Sequence, residues 1–274
     1  MNNERQKIQL VVFDWAGTTV DFGSRAPAAA FAACLAAHGV EVSDAEAREP
    51  MGMNKRDHLV AMLSAPSISA RWEAANGSAW TESDVDTMYA EFVPLQLQAI
   101  EQNAELVPNL LDVVSQLRER GLKIGGTTGY FQSAAAAVSG RAAQLGFLPD
   151  ENMCSDDVPQ GRPAPWMIYR IMERLGVFPP STVIKVGDTP MDIQAGLSAG
   201  CWSVGVCDSS SVTGLSQSEF AALSDVERSE RLSKSAETFR SAGSHAVISS
   251  ISELPALVDR LNSLQTLQPH VLPS

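Results

Sequence analysis

Residues 8–21 read IQLVVFDWAGTTVD, and the fold turns on how they are taken. The short apolar run from Ile8 to Phe13 stops abruptly at Asp14 and gives way to Trp15, Ala16, Gly17, Thr18 and Thr19. Such a run, closed by a turn signal, predicts a strand buried on both faces of a parallel sheet. Asp14 then stands at the strand's carboxyl end, where open α/β sheets place their ligands. The small and hydroxyl residues after it are expected to leave backbone N–H groups free to hold an anion.

Outward from this strand the pattern changes. Phe22 and Gly23 read as a linker, and Pro27 opens a helix that Gly39 stops near His38. Ser43 to Arg48 forms a short helix with Ser43 as its cap, Lys55 to Leu63 another, and Pro66 and Gly77 break the stretch that follows. Thr81 and Asp84 give a capping box for one long helix to Glu101. Strand-like runs return only at 122–128, 183–188, 201–207 and 246–249, separated by helical patterns at 108–120, 132–145, 165–175, 191–199 and 252–264. Alternating strands and helices predict an α/β fold: a doubly wound, Rossmann-like parallel sheet. About a hundred residues separate the first two strands, far more than the roughly 30 of a βαβ step. An all-helical cap domain at 24–102 is therefore expected, inserted in a core of 1–23 and 103–274, with hinges at Phe22–Gly23 and 103–107. The Ser-, Glu- and Arg-rich stretch 208–243 reads as a helical or irregular surface excursion.

The bulk properties bound the function. The chain has 274 residues, 45% of them hydrophobic and 19% charged, enough for a sizeable core. Its net charge of −12 argues against a general nucleic-acid or anionic-membrane binder. An anionic substrate would need local cations. Cys34, Cys154, Cys201 and Cys207 show no CxxC pair or metal spacing and are expected to be reduced thiols. The N-terminus lacks a signal-peptide pattern, and no apolar run approaches the roughly 18 residues of a membrane span. A cytoplasmic enzyme is the expectation.

Chemistry collects at the strand ends. Asp14 closes the first; Thr127, Thr128, Gly129 and Tyr130 close the next; Gly187, Asp188 and Thr189 close the third, with Asp192 one turn on. Asp14, Asp188 and Asp192 make an oxygen-rich cluster suited to Mg²⁺. An aspartate beside Mg²⁺ can attack phosphorus, splitting one displacement into two easier ones. Thr128, the Gly129 backbone and Arg162, held between Gly161 and Pro163, are the candidate donors to phosphoryl oxygens.

This order of an Asp after strand one, a Thr after strand two, a basic residue and a final acidic pair resembles the haloacid dehalogenase superfamily of phosphotransferases. Most phosphatases of that superfamily carry a second Asp two residues after the nucleophile, as acid for an alcohol leaving group; here the position is Ala16. A leaving group needing no proton on oxygen, such as a delocalised carbanion, would account for the change. Lys55 supplies the means, since an amine that is partly unprotonated can condense with an aldehyde to an imine that accepts the electrons of a breaking C–P bond.

Together FDWAGTTVDFG (13–23), PMGMNKRDH (50–58), TTGY (127–130), GRPAPW (161–166) and KVGDT (185–189) resemble the C–P-cleaving, phosphonatase branch of the superfamily. The resemblance implies Asp14 as nucleophile and Lys55 as Schiff-base lysine. It implies Mg²⁺ held by Asp14, the Ala16 carbonyl and Asp188 with Asp192 in support, and Thr128 and Arg162 on phosphoryl oxygens. It places Met51, His58 and Tyr130 near Lys55, with His58 relaying protons. It also implies a homodimer through the caps and a place in 2-aminoethylphosphonate breakdown. Arg25 and Gly126 depart from the residues usual in that branch, an aromatic and a small hydroxyl residue. Two rivals remain: an ordinary phosphatase or phosphomutase, which Ala16 disfavours for want of a proton donor, and a non-catalytic binding protein, which the intact Asp14, Thr128, Arg162 and Asp188 set disfavours.

Overall fold

A computed structural model describes residues 6–264 and 266–272. The ends of the expected core segments, at 1–5 and 273–274, lie outside the described residues. The first strand, β1 (Leu10–Asp14), is wholly buried and has neighbours on both sides, as its unbroken apolar run requires. Five helices follow with no strand among them: α1 (Arg25–Ala37), α2 (Asp44–Arg48), α3 (Lys55–Ser64), α4 (Pro66–Asn76) and α5 (Glu82–Asn103). After α6 (Leu110–Glu119) the chain alternates through β2 (Lys123–Thr128), α7 (Gln132–Gln144), β3 (Glu151–Cys154), α8 (Trp166–Leu175), β4 (Val183–Gly187), α9 (Pro190–Ser198) and β5 (Trp202–Val206). Two further helices, α10 (Gln217–Ala222) and α11 (Asp225–Ser241), precede β6 (Ala246–Ile248) and α12 (Leu254–Ser263).

The six strands form one parallel sheet in the order β3-β2-β1-β4-β5-β6, the doubly wound arrangement expected. Strand order reverses between β1 and β4, so the crevice beyond their carboxyl ends is the place for a ligand. Asp14 pairs in register with Thr127 of β2, which sets the two strand-end motifs side by side. Among the described residues no helix is long and apolar enough to cross a membrane. All four cysteines are free and buried.

Local chemistry explains most boundaries and corrects a few. The Ser43–Glu46 and Thr81–Asp84 capping boxes both form. Pro66 opens α4 at its first turn, where its missing N–H is not needed, and Gly77 closes that helix at φ 79°. Helix α1 begins two residues before Pro27, because the Asp21 carboxylate accepts the N–H groups of Arg25 and Ala26 at 2.9 Å each. Strand β3 was not expected: it has four residues, ENMC, whose first half is only partly buried, so its hydrophobic signal is weak. Gly126 is explained by the Trp15 Nε1–Asn152 Oδ1 hydrogen bond of 2.7 Å, since a β-carbon there would come within 2.8 Å of that indole nitrogen. Arg25 makes an exposed 3.6 Å ion pair with Glu219.

The two connections between the helical insert and the sheet run side by side. Asp21 N–H donates to Glu105 O at 3.0 Å, Val107 N–H donates to Thr19 O at 2.9 Å, and Val20 bridges Leu106. The insert also packs down on the sheet layer: Phe31 stacks on Phe92 within it, and Tyr89 of α5 meets Phe131 edge-on at 6.1 Å.

Candidate active site

Four loops of the sheet and the helical insert meet at the switch point. The sheet supplies Asp14 and Ala16 after β1, Thr128–Tyr130 after β2, Arg162 before α8, and Asp188–Thr189 after β4; the insert supplies Met51, Gly52 and Lys55. Between them is a cavity of about 20 Å³. That is room for little more than one water molecule. A groove of about 570 Å³ beside β6 and α12 is far larger, but it contains none of the motif residues.

Lys55 is the first helical residue of α3, set there by the Asn54 side chain, which caps the Asp57 N–H at 2.9 Å. It is only 4% exposed, with Nζ 5.1 Å from the centre of the Tyr130 ring and 5.5 Å from that of Phe31. Burial pushes its ammonium down to about 8, against the pull of Asp14. Roughly one molecule in ten then carries the neutral amine at pH 7, compared with one in several thousand for a solvated lysine. Tyr130 is held as a phenol, burial and the nearby Asp21 and Asp14 pushing its ionisation far up.

His58 lies behind Lys55 and does not line the cavity. Its ring stacks on Phe31 with centroids 3.6 Å apart, and its Nε2 is 3.0 Å from the Ala47 carbonyl. Burial, and then the charge of Lys55, hold it neutral. The Nε2–H must therefore donate to Ala47, leaving Nδ1 as a buried acceptor with no partner.

The acids cluster as expected: carboxylate oxygens of Asp14, Asp188 and Asp192 all lie within 4.8 Å of one another. They are not equivalent. Asp192 Oδ1 is 2.9 Å from Arg162 Nη1 and 2.8 Å from Lys185 Nζ, and its Oδ2 accepts the Thr189 hydroxyl at 2.6 Å. Burial opposes its charge, but those two cations outweigh burial and keep it ionised. Asp14 accepts Arg162 Nη2, yet burial still raises it above the usual carboxylate range. Asp188 is raised furthest, by burial and then by Asp14 and Asp192; its Oδ1 is buried without a partner. Two acids facing one another, with one oxygen unsatisfied, are suited to a hard divalent cation. Asp14 and Asp188 offer carboxylate oxygens that could hold it, while Asp192 is already engaged by two cations.

The anion-holding role expected of the turn after β1 does not fall to its last three residues. The N–H groups of Gly17, Thr18 and Thr19 are spent inside the turn, on the carbonyls of Val20, Trp15 and Trp15 at 2.8, 3.1 and 2.8 Å. Two side-chain donors beside the cavity are left available: Arg162, whose buried Nε has no partner, and the Thr128 hydroxyl, whose oxygen accepts the Tyr130 N–H at 3.1 Å.

Two functional features escaped the sequence reading. Lys185, in the buried strand β4, is 1% exposed and balances Asp192; a single charge within the run VIKVG was its signal. Ser209, Ser210, Ser211 and Thr213 are buried, so this part of the 208–243 stretch is not surface. The Ser211 N–H donates to Asp188 Oδ2 at 2.8 Å.

Glycines let the insert seat on the sheet. A β-carbon on Gly129 would lie 2.6 Å from the Met53 carbonyl, and one on Gly52 would lie 2.5 Å from Thr189 Oγ1. Gly129→Ala should therefore wedge the 51–54 loop away from the β2 loop and lower turnover roughly tenfold or more. The check is a steady-state assay paired with circular dichroism showing an unchanged fold.

A family model for haloacid dehalogenase-like hydrolases matches residues 8–200. Phosphonoacetaldehyde hydrolase of Syntrophobacter fumaroxidans is 42% identical over 257 residues, covering 94% of this chain and 93% of that protein. The corresponding enzyme of Hahella chejuensis is 41% identical and covers 93% of this chain and 87% of its own. The crystal structure of a phosphonoacetaldehyde hydrolase-like protein from Oleispira antarctica superposes with a TM-score of 0.91 at 36% identity, covering 93% of this chain and 92% of that one. The chain belongs to the phosphonoacetaldehyde hydrolase family of the haloacid dehalogenase-like hydrolases.

Proposed function

We propose that this protein hydrolyses the C–P bond of phosphonoacetaldehyde to acetaldehyde and phosphate. The observation that carries the reading is a buried lysine of lowered basicity facing the same small cavity as an aspartate at the sheet's switch point. Neutral Lys55 adds to the aldehyde carbon, water leaves, and the imine nitrogen takes up a proton from solvent, giving a protonated imine. An Asp14 carboxylate oxygen attacks phosphorus, the C–P bond breaks, and its electron pair moves into the adjacent carbon–carbon bond to form an enamine. Water then cleaves the aspartyl-phosphate, and protonation and hydrolysis of the enamine release acetaldehyde and return Lys55. His58 is assigned the relay of protons during imine formation, passing them through its unpartnered Nδ1 without staying protonated. Met51 and Tyr130 close the aldehyde end of the cavity, and Thr128, the Gly129 backbone and Arg162 bind the phosphoryl oxygens.

Mg²⁺ is the cation assigned to Asp14, Asp188 and the Ala16 carbonyl, with Asp192 in support through its hold on Arg162 and Lys185. It supplies charge that offsets the anionic phosphoryl group. Adding Mg²⁺ at a hundredfold excess over its dissociation constant should stabilise the folded protein by about 2.7 kcal/mol. Thermal melts with and without chelator check this, and no rise in Tm means the acids do not bind the ion.

Residues 24–102 are taken as a cap that opens to admit substrate, because the cavity of about 20 Å³ is too small for it as it stands. The connections at Phe22–Gly23 and 103–107, whose flanking backbone is paired, act as its hinges. The cap is also assigned the contact of a homodimer, and the reaction a place in 2-aminoethylphosphonate breakdown in the cytoplasm. The deciding experiment is borohydride reduction in the presence of phosphonoacetaldehyde. A covalent adduct on Lys55, together with release of phosphate and acetaldehyde, supports the reading. Fast turnover of a phosphate ester with no adduct supports an ordinary phosphatase.

A further inference from the structure

The buried turn after β5 touches three things at once. The Gly23 N–H, in the first hinge, donates to Ser209 O at 2.7 Å. The Ser209 hydroxyl donates to the carbonyl of Gly17, in the turn after Asp14, at 2.7 Å. The Ser211 N–H donates to Asp188 Oδ2 at 2.8 Å. Gly17 is itself pressed against Asp188: at φ 82° it has no room for a β-carbon, which would run into that carboxylate.

The turn is stiff. Ser210 and Thr213 both donate to Cys207 O, at 2.7 and 2.9 Å, and both lie within hydrogen-bond distance of the Ser235 hydroxyl, at 3.3 and 3.1 Å. Helix α11 therefore braces it from behind, which gives the long excursion before β6 a structural purpose.

From the helical insert, one side chain reaches this turn. Arg48, at the end of α2, donates Nη1 to Gly23 O at 2.6 Å and to Ser24 O at 3.1 Å, and Nη2 to Gly214 O at 3.4 Å. Its Nε is aimed by a 2.7 Å ion pair with Asp44 one turn back. Gly214, at φ 68°, would bring a β-carbon to 3.2 Å from Arg48 Nε, so the approach depends on a glycine. One guanidinium thus ties the insert, the hinge and the turn that holds Asp188.

We propose that Arg48 and the 209–214 turn are positioning residues that set the Asp188 carboxylate only when the helical insert is seated. With the insert seated, Arg48 fixes the hinge carbonyls and Gly214, the turn is held, and Ser209 and Ser211 hold Gly17 and Asp188 in place. When the insert lifts, Arg48 leaves with it and Asp188 loses that registration. The proposal rests on the cap reading above, since it requires the insert to move.

The test uses the full chain with Arg48→Lys, which keeps the charge but loses the fork, and Asp44→Asn, a change at an exposed carboxylate that leaves packing untouched. Three quantities are read: amide hydrogen exchange at Gly23 and at Ser211, Mg²⁺ affinity by calorimetry, and turnover of phosphonoacetaldehyde. In Arg48→Lys, exchange at both amides should rise about tenfold or more, Mg²⁺ binding should weaken several-fold and turnover should fall roughly tenfold, with smaller changes of the same kind in Asp44→Asn. A purely structural staple would speed exchange at Gly23 alone, leaving Ser211 and Mg²⁺ affinity as in the unaltered protein; that result overturns the proposal. Should the unaltered protein give no Lys55 adduct with borohydride, the imine reading fails, while exchange and Mg²⁺ affinity still judge the Arg48 connection.

Discussion

Replacing Lys55 with alanine is expected to lower acetaldehyde and phosphate production about a thousandfold or more, with the fold retained. Without the amine no imine forms, and the C–P bond would have to release an unstabilised carbanion. The structure refines why the fold should survive. Lys55 stands at a helix start, yet it is buried. Alanine keeps the helix start, leaves the Asn54 cap in place and removes a charge that burial disfavours. The pH dependence gives an independent check. Adduct formation requires the neutral amine, so trapping by the unaltered protein should rise with pH through about 8. Stability follows the same shift: the unfolded chain holds a proton on Lys55 that the folded one has lost between about 8 and the model-compound value of 10.5. The unaltered protein should therefore gain stability relative to Lys55→Ala as pH rises across that window. Trapping that rises only near pH 10 would mean the amine works from solvent.

Asp14→Asn should abolish phosphate release, by roughly four orders of magnitude, yet leave the Lys55 adduct obtainable. The amide is nearly isosteric and remains beside Thr127 at the strand end, but it cannot give a stable aspartyl-phosphate. The sign of its effect on Lys55 is fixed. The Asp14 carboxylate raises the lysine's pKa, so its loss lowers it, and trapping should begin at lower pH than in the unaltered protein. The Asp14–Asp188 repulsion is relieved at the same time. Mass spectrometry of the reduced adduct, with a phosphate assay on the same sample, reads both effects. Residual turnover above about one part in a hundred would reassign the nucleophile.

How much of this was legible depended on whether a residue's role was local. Asp14 announced itself because an apolar run ended on a charge, and the strand's burial on both faces made that ending meaningful. Lys55 emerged only in combination with Ala16, since nothing about an isolated lysine at a helix start marks it as buried. The rest was set by tertiary placement. In sequence Lys185 is one charge inside an apolar strand, and only the fold sets it 2.8 Å from Asp192. The serines at 209–211 have a composition typical of exposed loops, and only the chain's return past β1 puts them inside. Strand β3 was too short and too polar at one end to stand out from a loop. The threonine-rich end of the turn after Asp14 is a case of the opposite kind: its residues suit an anion nest, but the N–H groups of Gly17, Thr18 and Thr19 fold back on carbonyls of the same turn.

The pairing of Val20 with Leu106 has a consequence for the history and folding of the chain. Because the excursion leaves and returns through adjacent, hydrogen-bonded backbone, β1 and β2 meet as though a tight connection joined them. The entropic toll of a long loop grows only slowly with its length, so the sheet is nearly indifferent to what is hung between these two points. One insert can be exchanged for another of different size and chemistry, and β1 would register little of it.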